Sequence, residues 1–99
     1  MTESEESQSF PLPGAQALQH CCKISIAEDR PIMLDYWTDS QELKIVIGVR
    51  ENGEKLLVKN EDEYTSPISK IYKVNEEYII ITENSLYLTS AKIATRRIS

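Results

Sequence analysis

The chain has 99 residues, 40% of them hydrophobic, with 11 basic and 16 acidic side chains and a formal charge of -5. That length holds one domain able to bury a core without metal or disulfide support, and the acidic balance repels phosphate backbones and anionic membrane surfaces. The charge is uneven, near -7 over residues 1 to 63 and +2 over residues 64 to 99.

Taken in order, Met1 to Ser9 (MTESEESQS) is rich in serine and glutamate and has nothing to bury, so disorder is expected. Phe10-Pro11-Leu12-Pro13-Gly14 alternates apolar residues with φ-locked prolines and predicts an extended segment. Residues 1–14 therefore read as an acidic, proline-containing arm, and 15–99 as a single all-β domain. The arm is either a recognition motif or a cover, through Phe10 and Leu12, for the domain's own surface. Ala15 to His20 predicts a helical turn or two. Strand signal then begins, with Cys22, Ile24 and Ile26 alternating with Lys23 and Ser25. Pro31 interrupts it, and IMLDYW predicts a second strand with Ile32, Leu34 and Tyr36 on one face and Met33, Asp35 and Trp37 on the other.

The most explicit pairing lies in Leu43 to Lys59. Leu43, Ile45, Ile47 and Val49 alternate, Asn52-Gly53 interrupts, and Leu56 and Val58 resume. Asn-Gly suits a two-residue type I′ turn, which sets Val49 opposite Leu56 and Ile47 opposite Val58. The acidic run Asn60 to Glu63 reads as a solvated loop. Segments 68–74, 78–82 and 86–89, separated by turns near Asn75 and Asn84-Ser85, complete a meander. A two-residue first turn sets Tyr72 opposite Ile79 and a three-residue one sets it opposite Ile80; a two-residue Asn84-Ser85 turn pairs Ile81 with Leu88. The final AKIATRRIS is either a helical cap or an edge strand. Together these elements predict a small antiparallel meander of about seven strands, curled into a barrel-like (SH3-like) form or folded as two sheets, with the barrel preferred.

Little in the sequence points to catalysis. The single histidine, His20, adjoins Cys21 and Cys22, but adjacent strand residues face opposite sides and lack the spaced pairs of a zinc site, so no metal is expected. Neighbouring cysteines also offer no disulfide framework, which favours a reducing, cytoplasmic setting. Glycines 14, 48 and 53 are isolated and make no phosphate loop. Asp35 is the one carboxylate within a predicted strand between apolar neighbours, where a place on the open face or pairing with Lys44 or Lys23 is the simplest role. No apolar run reaches membrane-span length. No cofactor is implied.

Trp37 suggests a contact surface instead. On a one-layer barrel its face is wet, so Met33 and Trp37, joined by Val46 and Leu57 from the polar side of the hairpin, form an outer apolar patch suited to a protein partner or a second copy of the chain. The run Glu61, Asp62 and Glu63 forms an acidic patch that can imitate nucleic acid. A non-enzymatic protein-interaction module, acting as an adaptor, regulatory subunit or assembly component through that face or a sheet edge, is the favoured function. The alternative is a barrel that binds single-stranded nucleic acid or a nucleotide by stacking on Trp37, Tyr64 and Tyr87. Scattered basic residues disfavour it.

Overall fold

The computed structural model describes residues 11–99, so Met1 to Phe10, and the disorder expected of them, lie outside the described residues. Helix α1 spans Ala15–Glu28. Its N-terminus is anchored by the Gly14 N–H, which donates to the Glu77 carboxylate at 3.1 Å. Ala17, Cys21 and Ile24 recur at helical spacing toward the core. The alternating set that predicts a strand from Cys22 is thus overturned, because Cys22 is exposed and Ile26 is 83% exposed on the far side of the helix. Asp29 ends α1 in a left-handed conformation with φ 56°, its N–H bonded to the Ser25 carbonyl. Pro31 follows directly.

The expected strand over Ile32 to Trp37 is also corrected. Only β1 (Ile32–Met33) is extended. The chain then turns, the Trp37 N–H reaching the Leu34 carbonyl at 3.1 Å, and α2 (Trp37–Gln41) begins. The Ser40 hydroxyl donates to the Trp37 carbonyl at 2.7 Å and accepts the Ser90 N–H at 3.0 Å, fixing this turn against the sheet.

Strands β2 (Val46–Val49) and β3 (Lys55–Val58) form the predicted hairpin in a different register. Ile47 faces Leu57 and Gly48 faces Leu56. Arg50 and Glu54 close the turn at 2.8 Å, and Gly53 takes φ 92° at its last position, so the loop holds Glu51, Asn52 and Gly53 rather than two residues. One added residue exchanges the faces of β3. Leu57 turns inward and Leu56 and Val58 turn outward.

The remaining strands are β4 (Ile68–Val74), β5 (Glu77–Thr82), β6 (Leu86–Ser90) and β7 (Ala94–Arg97). Asn75, with φ 56°, makes the first turn a two-residue one, and Tyr72 faces Ile79. Ile81 faces Leu86 rather than Leu88, because Thr82 Oγ1 accepts the N–H groups of Asn84 and Ser85 and tightens the loop around Glu83-Asn84. A shift of two residues leaves the faces unchanged.

The strands form two sheets, ordered β1-β6-β5-β4 and β3-β2-β7. Both are mixed, since β1 runs parallel to β6 and β2 parallel to β7, so neither the purely antiparallel meander nor the barrel forms. The two-sheet, mostly β arrangement does. On one face of the four-stranded sheet, Ile79, Ile81, Leu86 and Leu88 meet α1 and Trp37. On the other, Ile80, Tyr78 and Tyr87 meet Ile45, Ile47, Leu57 and Ile93. This explains the unbroken Ile79-Ile80-Ile81 run, since β5 is central and covered on both sides.

Candidate functional site

The four residues expected to form an outer patch are dispersed by the fold. Trp37 is 6% exposed and lies in the helix-side core, its Nε1–H donating to the Pro11 carbonyl at 2.8 Å. Leu57 is fully buried between the sheets, whereas Met33 and Val46 are partly exposed on different sheets. The patch fails for two physical reasons: α2 turns the indole inward, and the three-residue hairpin loop turns Leu57 inward. Leu12 is 72% exposed and covers neither; Phe10 lies outside the described residues.

Other sequence candidates have simple structural roles. Asn60 Oδ1 accepts the N–H groups of Asp62 and Glu63 at 2.8 and 3.0 Å, so Glu61, Asp62 and Glu63 sit on an exposed Asn-capped turn. Lys44 pairs with Glu42 at 2.9 Å rather than with Asp35. Lys59 is instead the cation near Asp35, with Nζ 3.4 Å from the Asp35 carbonyl oxygen, 3.6 Å from the Asp39 carboxylate and 4.7 Å from the Tyr36 ring centroid. Tyr36 packs edge-on against Tyr87 with centroids 5.4 Å apart. Burial, reinforced by Tyr87, Asp35 and Glu63, pushes the Tyr36 hydroxyl up to about 12, and burial also raises Tyr87. Both phenols therefore keep their protons at neutral pH and supply no base there. Cys21 is buried, and that burial pushes its thiol up to about 11. Among the described residues no group of three or more histidine, cysteine, aspartate or glutamate side chains is placed to hold a metal ion. Trp37 and Tyr87 are both in core packing, so they do not join exposed Tyr64 in a stacking surface.

An open groove lies on the outward side of the three-stranded sheet. Alternation along the observed register places Val46, Gly48, Leu56, Val58, Ala94 and Arg96 on this side. The chain beyond β7 continues along β2, where the Ile98 N–H bonds to the Val49 carbonyl at 2.9 Å. The Ile98 side chain lies over Gly48; a Cβ there would stand 2.8 Å from Ile98 Cδ1, so a larger residue would have to displace the Ile98 side chain. Between Ile98 and Tyr64 opens a groove of about 540 Å³ with Leu56 and Val58 in its floor and Arg50 and Glu61 at its rim. A second hollow, of about 460 Å³, separates His20 and Ile24 of α1 from Tyr72 and Val74 of β4.

Strand β7 is the sheet edge opposite β3, and only the chain beyond it, at Ile98 and Ser99, reaches the groove. Among the described residues no strand lies beyond β7, and all four of its residues are exposed. Because Ile98 turns its N–H toward β2, alternation turns Arg96 the same way and leaves the N–H and C=O of Thr95 and Arg97 pointing away from the sheet. Sequence reasoning missed Gly48, Tyr64 and Ile98 as one surface. An isolated glycine inside an apolar strand was the available signal. Among the described residues no helix is long and apolar enough to cross a membrane. Compared with family models, curated proteins and solved structures, the chain gives no significant match.

Proposed function

We propose that this chain is a non-enzymatic protein-interaction module that receives an extended segment of a partner on its three-stranded sheet. The observation that carries the reading is the apolar groove of Leu56, Val58, Tyr64 and Ile98, open on that sheet's outward side. A groove of this volume, with Leu56, Val58, Tyr64 and Ile98 beside the polar Arg50, Asn60, Glu61 and Ser99, suits one or two large apolar side chains on a segment with polar flanks, and the β7 edge of the same sheet offers backbone donors and acceptors to a further stretch of the partner. A cytoplasmic adaptor or regulatory role belongs to the same proposal, supported by two free cysteines of which Cys22 is exposed. Peptide display on the purified chain, followed by amide chemical-shift mapping, tests it. Selected peptides are expected to move the amides of Leu56, Val58, Tyr64 and Ile98 and to lose at least tenfold in affinity with Tyr64→Ala. Selection of no binder, or of binders whose shifts fall only in the hollow beside α1, overturns it.

A further inference from the structure

We infer that the free edge of β7 selects an acidic extended segment of a partner protein, which joins the three-stranded sheet as a fourth strand; this deepens the reading above and rests on it. The backbone supplies the pairing groups. Thr95 and Arg97 each turn an N–H and a C=O away from β2, a repeat that matches an incoming strand. The side chains supply the selection. Arg96 and Arg97 are consecutive and both exposed, so by alternation one guanidinium stands on each face of the edge, and exposed Lys92 precedes the strand. Arg97 Nε donates to the Ser99 main-chain oxygen at 3.1 Å, which leaves its two terminal nitrogens for a partner, and neither arginine pairs with a described aspartate or glutamate. A carboxylate on either face of the incoming strand thus meets an arginine across the pair, which favours opposite charges and penalises like ones.

The same charges argue against a second copy of β7 as the occupant, because two such edges brought together would set arginine against arginine. They also set this edge apart from the molecule as a whole, whose charge is -5. A basic edge on an acidic protein attracts an acidic segment locally, while the surrounding field limits binding to segments that dock in register.

The test titrates the isotope-labelled full chain with a short peptide alternating glutamate and valine, and in parallel with its lysine–valine counterpart, at low and high salt. The expected result is saturable binding of the glutamate peptide alone, weakening at least several-fold as salt rises. The amides of Thr95 and Arg97 should gain protection from exchange. Thr95→Pro removes an outward N–H without touching a bond to β2 and should abolish binding. Should that variant not fold, the pair Arg96→Glu and Arg97→Glu is expected to transfer preference to the lysine peptide. Equal binding of both peptides, shifts confined to other strands, or Thr95 and Arg97 amides already protected in the free chain would overturn the inference, the last because residues 1–10 or a second copy would then cover the edge. If displayed peptides bind the groove while the glutamate peptide leaves β7 unchanged, this inference falls and the module reading stands; if neither binds, both fall.

Discussion

The two sheets differ most in what lies on their outward sides. The four-stranded sheet is covered by α1 on one face and by the other sheet on its second face, so β5 carries Ile79, Ile80 and Ile81 at no more than 2% exposure. The three-stranded sheet is covered once. Its outward side keeps Leu56 at 2% exposure only because Ile98 and Tyr64 lie around it, and those two are 41% and 53% exposed. A strand buried on both faces contributes stability through apolar area removed from water, whereas a face left partly open contributes less and remains available for contact. The contrast assigns stability chiefly to β5, and the proposed function would place recognition on β2, β3 and β7.

Substitutions on each side can break or sharpen this contrast. Ile80→Ala, between the sheets, is expected to cost about 3 kcal/mol in urea unfolding; a loss below about 1 kcal/mol would deny β5 its role. Next in size is the alkaline response of Tyr36, which lies where the sheets meet. Its hydroxyl is pushed from the ordinary 10.0 up to about 12, so below pH 10 the folded and unfolded chains both hold the proton and its contribution is whole. Above pH 10 the unfolded chain releases the proton first, and stability falls by about 2 kcal/mol as pH rises toward 12. Tyr36→Phe should flatten that slope, and an unchanged slope would place the effect elsewhere.

On the open side the expected effects are smaller. Gly48→Ala forces its Cβ against Ile98 and Val58 and should cost about 1 to 2 kcal/mol, with faster exchange at the Ile98 amide. Gly53→Ala, at φ 92° with open space around it, should cost about 1 kcal/mol through backbone strain alone. Tyr64→Ala, which uncovers part of Leu56, should cost no more than about 1 kcal/mol while weakening peptide binding at least tenfold, and a loss as large as that of Ile80→Ala would erase the distinction between the sheets.

Local chemistry made much of the four-stranded sheet legible. β-Branched and aromatic runs mark β4, β5 and β6, and Asn75 supplies the left-handed residue that a two-residue turn needs. Asn52-Gly53 likewise marks a hairpin, but the letters do not settle whether Gly53 takes the second or the third loop position, and that single residue decides which of Leu56 and Leu57 is inside. The first helix was obscured because Ile24 belongs both to an alternating set with Cys22 and Ile26 and to a helical set with Ala17 and Cys21; the sheet beneath selects the second. Trp37 was misplaced for a related reason. Its burial depends on a turn at Leu34 and a contact with Pro11, neither of which follows from strand periodicity. The candidate surface was hidden most deeply of all, since it depends on parallel pairing that joins Val46 to Ala94, and nothing local in either segment specifies the other.

Hydrogen exchange of the uncomplexed chain, read residue by residue, tests the division between the sheets most directly. The amides of Ile79, Ile80 and Ile81 should exchange only with global unfolding, and those of Thr95 and Arg97 should exchange orders of magnitude faster. Equal protection of the β5 and β7 amides would contradict the account.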